Sequence, residues 1–319
     1  MLAFIDWQPN GEIIALGPLV LRWYSMLWCL GLLSAYVIVG KLYKLEKVAD
    51  EKFDPLFFYC FLGVLIGARL GHCLFYEAEY YLGSMRGVAE MILPIRFAPD
   101  MSDWTFRGYE GLASHGGTIG LFVALWLYAR NHKLGMLGVI DNVALSVPLV
   151  SCCIRLGNLM NSEIIGSVTD VPWAFIFHTH EAMVDGELVP RHPAQLYEAM
   201  AYLVIFFIQL YIFKKHDMPH FAPAEKEETK MFKAGQKAIA GAGAYDLRGG
   251  KTFVGNGFFF GFTLITIFTF RIFVELIKKE QVASELDMTI NIGQRLSIPF
   301  ILIGAWLIWN ALRRIKQHG

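Results

Sequence analysis

The sequence predicts an all-α integral membrane protein with seven transmembrane helices, and three observations carry that prediction. Of 319 residues, 55% are hydrophobic and only 18% are charged, with a mean hydropathy of +0.44. A soluble domain of this length carries more charge. The apolar residues gather into repeated runs of the length a helix needs to cross a hydrocarbon core of roughly 30 Å. Basic residues then alternate between the connections of these runs.

Taken in order, the helices are expected near 19–42, 53–75, 113–130, 136–157, 193–213, 253–277 and 292–312. Residues 1–18 hold Asp6 and Glu12 and lack a basic start, so they do not read as a secretory leader. The third run is short, because HGGTIGLFVALWLYAR opens with two glycines. Lys41, Lys44, Lys47 and Lys52 follow the first run, Arg130 and Lys133 the third, eight basic residues the fifth, and Arg313, Arg314 and Lys316 the seventh. The alternate connections are poorer in them; the one after the sixth run has only Lys278 and Lys279. By the positive-inside rule the N-terminus is expected outside and the C-terminus in the cytoplasm. The whole of 1–319 is expected to form a single seven-helix membrane domain. The outside connections 76–112 and 158–192, rich in Trp, Phe, Tyr and Ile, are expected to fold onto the membrane surface. The polar 214–251 connection is expected as a mobile cytoplasmic loop.

Lys+Arg and Asp+Glu balance at 28 each, so net charge gives no reason to expect nucleic acid as a partner. All five cysteines fall in apolar runs and read as free packing residues. His178, Thr179, His180 and Glu181 lack any supporting ligand pattern, so no metal is expected there, and no cofactor motif occurs elsewhere.

Ionisable residues inside the runs are costly in hydrocarbon, about 2.5–3.5 kcal/mol each at a helix centre. They are Arg22, Arg69, His72, Asp141, Arg155, Glu198, Arg271, Glu275 and Arg295. With the orientation above, all but Asp141 lie toward the outer side. Single cations near helix ends are explained by snorkelling to headgroups. Carboxylates mixed among arginines are not, and a polar chamber for an anionic ligand explains them better, since guanidinium pairs phosphate oxygens.

The motifs fill in that chamber. In SCCIRLGNLMNSEIIG (151–166), Arg155 and Asn158 share a helical face, and Gly157 permits close approach. Asn161 and Glu163 follow where the helix gives way, and Gly166 is expected to take a left-handed turn. A plain helix-end network is the alternative reading of this stretch. In SHGGTIG (114–120), His115 opens a helix whose free amides favour negative charge. It reads either as a surface residue or as a proton-transfer group. RHPAQLYEA (191–199) brings Arg191, His192, Gln195, Tyr197 and Glu198 to one helix start. Arg271 and Glu275 are spaced to pair with each other, which reads as structural for Glu275.

RWYSM (22–26), IGARLGHCLFY (66–76), SHGGTIG, RLGNLMNSEIIG, RHPAQLYE, FRIFVE (270–275) and GQRLSIP (293–299) together resemble the bacterial prolipoprotein diacylglyceryl transferase family, in order and over nearly the whole chain. The resemblance implies a multi-pass enzyme of the bacterial inner membrane, with its active site toward the periplasmic leaflet and no cofactor. Its partners would be phosphatidylglycerol and a preprolipoprotein carrying a lipobox cysteine. The diacylglyceryl group would pass to that thiol, releasing glycerol phosphate. Carried over by residue, the essential positions fall on Tyr24, His115, Arg155, Asn158, Glu163, Gly166 and Arg271. The family's usual Gly-Arg and Asn-Phe read Ile154-Arg155 and Asn158-Leu159 here, and a tyrosine often found one turn before the sixth-run arginine is Ile267.

For that chemistry Arg155 and Arg271 would hold the phosphate and stabilise its departure. Asn158 and Glu163 would orient them, Glu198 would help bind substrate, Tyr24 would bond the headgroup, and His115 would take the thiol proton. Two rival classes remain: a lipid or anion transporter, and another phospholipid-headgroup enzyme. A transporter predicts polar residues through the full membrane depth and often inverted repeats. No repeat is evident.

Overall fold

A chain in hydrocarbon must satisfy its backbone polar groups internally, which selects helices, and the structure, a computed structural model, places helix on all seven apolar runs. It describes residues 4–16, 19–98, 100–106, 108, 111–221, 251–278 and 292–318. These divide into two compact units, Met1–Glu46 with Ile140–Gly319, and Lys47–Val139.

The first unit opens with short strands β1 (Ile5–Trp7), β2 (Glu12–Leu16) and β3 (Leu19–Arg22) before helix α1 (Trp23–Leu45). The first run was expected to be helical from residue 19. Instead 19–22 pairs antiparallel with β2, which satisfies backbone groups that lie ahead of the helix. The second unit holds α2 (Asp50–Phe75), α3 (Ala78–Leu82), α4 (Met85–Ile92), hairpin strands β4 (Ile95–Phe97) and β5 (Trp104–Phe106), and α5 (Ser114–Asn131). Next comes α6 (Met136–Ala144), on which the boundary between the units falls.

The first unit resumes with α7 (Val147–Met160). The fourth run was expected as one helix over 136–157. It is a bent pair, α6 and α7 meeting at 42°. Pro148 sits in the first turn of α7, where a missing N–H costs nothing. After α7 come β6 (Phe175–Phe177), β7 (Met183–Val184), β8 (Glu187–Leu188) and β9 (Pro190–Arg191). Helix α8 (Ala194–Ile212) continues through a π turn, Phe213–Asp217, into α9 (Met218–Phe221). Helices α10 (Phe258–Glu275) and α11 (Ile292–His318) complete the described chain. Strand β6 sits between β1, which it pairs in parallel, and β9, which it pairs antiparallel.

Among the described residues, five helical spans are long and apolar enough to cross a membrane: Trp23–Leu45, Asp50–Phe75, Ala194–Phe221, Phe258–Glu275 and Gly293–Gln317. The bent pair makes a sixth if it forms one span. Helix α5 forms on the third run but does not meet the same measure. Most of the expected 214–251 loop lies outside the described residues.

Polarity is inverted relative to a soluble protein. Phe58, Leu33, Phe207 and Leu302 are exposed, whereas Asp141, Asn142, Glu198 and Gln209 are fully buried. The outward faces suit lipid, and the interior polar side chains are tied in by hydrogen bonds across helices. Gln209 on α8 donates to Thr263 on α10 at 2.6 Å. Asp141 accepts three backbone N–H bonds from Gly255, Gly257 and Phe260, at 2.9, 2.8 and 3.0 Å. It thereby caps the start of α10 from another element, satisfying amides that a helix leaves free. That job accounts for the ionisable residue expected apart from the rest.

In the second unit, α2 and α5 pack backbone against backbone. A Cβ added at Gly120 would lie 2.0 Å from the Gly63 carbonyl oxygen, and one at Gly116 would lie 2.2 Å from that of Gly67. Hydrocarbon offers no hydrophobic drive between helices, so small residues that allow this approach hold them together. Beyond α2, the buried Glu90 carboxylate accepts from Tyr80, from Arg86 at 2.9 Å and from the Phe97 amide at 2.9 Å. This knot fixes α4 against the β4–β5 hairpin.

Candidate active site

Helix α7 carries the polar stretch at its C-terminal end. Arg155 and Asn158 lie one turn apart on one face, as their spacing predicts, and Arg155 Nη1 reaches Asn158 Oδ1 at 3.4 Å. Asn158 Nδ2 donates to Glu163 at 3.1 Å, and Asn161 Nδ2 donates to the other oxygen of the same carboxylate at 3.0 Å. The turn holding Glu163 is strained. Ser162 and Ile164 on either side of it both have positive φ, 54° and 58°, a region that costs a β-branched residue energy. The Glu163 backbone is pinned by its own N–H to Asn158 O at 2.9 Å and by Gln195 Nε2 donating to its carbonyl.

Gly166 was expected to supply a left-handed turn. It does not; the left-handed residues are Ser162 and Ile164. Its lack of a side chain serves close approach instead. A Cβ there would stand 2.5 Å from His192 O and 2.9 Å from Ile277 O. Gly166 N donates to His192 O at 2.9 Å, and the buried Arg191 guanidinium donates to Gly166 O at 3.2 Å and Ala182 O at 2.9 Å. Burial lowers the Arg191 pKa from its ordinary value, and the two carbonyls occupy it in holding backbone.

Gly157 is likewise a contact point: its missing Cβ would lie 3.0 Å from Cδ2 of the Tyr24 ring. Tyr24, in the first turn of α1, thus packs directly on α7 between the levels of Arg155 and Asn158. Trp7 Nε1 donates to Leu159 O at 3.0 Å and ties β1 to the same helix end.

From α8, the fully buried Glu198 meets Arg155 Nε at 3.1 Å through one oxygen. Through the other it meets Lys278 Nζ at 3.3 Å and receives the Tyr202 hydroxyl at 3.2 Å. Lys278 also approaches Glu275 at 3.5 Å, and Glu275 pairs with Arg271 Nε at 3.5 Å. The contacts therefore run without a gap from Asn158 through Arg155, Glu198, Lys278 and Glu275 to Arg271. This joins α7, α8 and the end of α10.

One of its members, Lys278, was not expected there. Glu275 does pair with Arg271, and the same carboxylate also serves Lys278. Lys278 had been read only as a loop charge, yet its side chain is 7% exposed. The signal was present: 271, 275 and 278 follow the four-and-three spacing of one helical face. Arg22 stands outside this network, its exposed side chain 3.9 Å from Glu12. His115 belongs to the second unit, in the first turn of α5, and is exposed. Arg295 is exposed on α11. Among the described residues, no group of three or more His, Cys, Asp or Glu is arranged to hold a metal ion, and His178 pairs with Asp6.

The arrangement suits an anion. Arg155 and Arg271 each engage a carboxylate through Nε; Arg155 also spends Nη1 on Asn158, so the planar fork of Arg271 is the more open to a phosphate. Arg271 is 41% exposed and Arg155 18%, so the pair is graded from an open end to a closed one.

The family model "Prolipoprotein diacylglyceryl transferase" matches residues 12–235 and 243–310. A phosphatidylglycerol–prolipoprotein diacylglyceryl transferase of Bacteroides fragilis is 45% identical over 309 residues, covering 97% of this chain and 96% of that protein. Proteins of the same name from Chloroherpeton thalassium and Tolumonas auensis are each 34% identical, over 315 and 303 residues. The first of these alignments covers 98% of this chain and 97% of that protein, the second 95% of each.

Proposed function

The chain belongs to the prolipoprotein diacylglyceryl transferase family, and from that premise we propose that it moves the diacylglyceryl group of phosphatidylglycerol onto the lipobox cysteine of a preprolipoprotein. A thioether forms and glycerol phosphate leaves. We place the enzyme in the bacterial inner membrane as one seven-helix domain. Its N-terminus and the 76–112 and 158–192 segments are periplasmic, and its C-terminus is cytoplasmic. The alternation of basic residues supports this orientation.

The observation that carries the mechanism is the unbroken ionic chain between Arg155 and Arg271. It couples two guanidiniums from different helices into one anion grip. The thiolate sulfur attacks the glycerol carbon that bears the phosphate ester. The carbon–oxygen bond breaks with its electrons on oxygen, and the growing negative charge falls to Arg155 and Arg271. Asn158, held by Glu163, keeps the Arg155 fork turned toward the ligand, and Glu198 anchors it from behind. Tyr24 supplies a headgroup hydrogen bond. A cysteine thiol is mostly protonated near neutral pH, so a base must take its proton. We give that role to His115 on the strength of the SHGGTIG motif.

The test is direct. Purified protein is incubated with phosphatidylglycerol and a lipobox peptide, and the peptide is weighed. A mass gain of one diacylglyceryl group is expected, and none when the lipobox cysteine is replaced by serine. An unchanged peptide in both arms sinks the proposal. Lipid moved without peptide modification would point to a transporter.

A further inference from the structure

We infer that Lys278 is a positioning residue for the two guanidiniums, and that Gly166 is the backbone seat that delivers it. This rests on the phosphate-grip reading above.

A lysine just beyond a transmembrane helix ordinarily extends its ammonium to water or headgroups. Lys278 does the opposite. Its side chain is 7% exposed, and Nζ lies 3.3 Å from Glu198 Oε1 and 3.5 Å from Glu275 Oε1. Those are the carboxylates that hold Arg155 and Arg271. Each carboxylate thus has a second cation to keep it when its arginine turns its charge toward a ligand.

Charge balance gives the same answer. Among the directly ion-paired groups, two guanidiniums and two carboxylates cancel and Lys278 adds a third cation, which offsets the Glu163 carboxylate held through Asn158. Without it, Glu198, fully buried, would hold Arg155 as its only ion-pair partner among the described residues. An incoming phosphate would then compete with a buried carboxylate for the same guanidinium. Leaving a buried charge with too few partners is costly, so the competition would favour the internal pair.

The seat is built from backbone. Residues Gly166 and Lys278 form an isolated antiparallel bridge. Ser167 N donates to Ile277 O at 2.8 Å and its hydroxyl to the same oxygen at 3.2 Å. Gly166 is clamped between this segment and His192, with room for a Cβ on neither side. A Cβ at 166 would meet His192 O at 2.5 Å and Ile277 O at 2.9 Å, so both flanking segments must give, and any retreat of 277–278 carries Lys278 Nζ from the two carboxylates. On this reading Gly166 matters because of what it lets approach, with no need to touch the lipid.

The test uses the full chain in detergent micelles, with initial rates of peptide lipidation measured against the mole fraction of phosphatidylglycerol. Lys278→Met is expected to raise KM for the lipid by roughly 10- to 100-fold, the size found when a group that only orients a ligand-contacting residue is removed. Its kcat at saturating lipid should fall much less. Lys278→Arg should recover most of the loss, because it restores the charge. Gly166→Ala should raise KM similarly, and Gly166→Ala with Lys278→Met should be no worse than the more damaging single change, since both act through one ammonium. Should Lys278→Met fail to insert, Lys278→Gln carries the same expectation. A wild-type KM in the neutral variants overturns the inference. So does a kcat loss with unchanged KM, or independent addition of the Gly166 and Lys278 effects. Failure of the wild-type chain to lipidate the peptide at all would instead defeat the proposed function.

Discussion

The hairpin of α2 and α5 and the junction of α7, α8 and α10 solve one problem in opposite ways. Helices in hydrocarbon gain nothing by hiding apolar surface from lipid, so something else must join them. In the hairpin it is proximity: Gly63, Gly67, Gly116 and Gly120 bring two backbones together with no charge involved. At the junction it is charge, with Arg155, Glu198, Lys278, Glu275 and Arg271 linked across helix ends. The first solution is inert once made. The second keeps guanidiniums whose attachment to carboxylates is exchangeable for attachment to a ligand. Only the second has a use for chemistry, and that is the reason to bear its cost.

Breaking the junction at its centre should show this most clearly. Arg155→Ala removes the guanidinium between Asn158 and Glu198. Transfer to a lipobox peptide is expected to fall by about 10²–10³, the loss typical of one charge-stabilising donor. Arg155→Lys should recover little, because a point charge lacks the fork. A lysine variant with near-normal rates would mean that charge alone suffices there.

The hairpin should respond in folding and barely in chemistry. Gly120→Leu drives a side chain into the Gly63 carbonyl, and overpacking of this kind costs about 1–3 kcal/mol or more where backbone cannot give. The folded fraction in detergent, followed by size exclusion and a thermal melt, should drop. A variant that melts like the parent would show that the two helices are free to separate.

The contrast also explains what could be read from sequence. The helices were legible because hydrocarbon allows little else, so their periodicity faces no competitor. Arg155, Asn158 and Glu163 were legible because they are close in sequence and their spacing fixes a common face. The break between α6 and α7 was not foreseen, since an apolar run reads the same bent or straight. Gly166 was noted for the wrong reason. Sequence shows that a glycine is present, whereas the backbone it must admit, at His192 and Ile277, comes from distant positions. Lys278 was missed because a lysine past a helix end is usually solvated. Its fate is decided by Glu198, eighty residues away.

A third, smaller test concerns Glu90, a buried carboxylate outside the spans. Burial works to raise its pKa, but bonds from Tyr80, Arg86 and the Phe97 amide outweigh this and hold it below the ordinary value. Its stabilisation is therefore present above the ordinary carboxylate pKa and is lost as pH falls through the lowered one. Thermal melts of the parent should fall steeply below about pH 4. Glu90→Gln should melt lower at neutral pH and show less of that slope. An identical slope in both would remove Glu90 from the acid response.

The smallest effect sharpens the comparison most, because it reverses sign within one glycine pair. Gly117 neighbours Gly116 on α5, yet a Cβ there meets Ala68 Cβ at 3.4 Å and the Val64 carbonyl oxygen at 3.5 Å, ordinary packing distances. Alanine is the better helix former by about 1 kcal/mol. Gly117→Ala should therefore leave stability unchanged or raise it slightly, while Gly116→Ala, aimed at the Gly67 carbonyl, lowers it. Paired thermal melts in one detergent decide the matter. If both substitutions destabilise equally, the hairpin depends on glycine for backbone flexibility. If they split as expected, it depends on the distance between two backbones, and the face of α5 that holds the hairpin is thereby separated from the turn that presents His115.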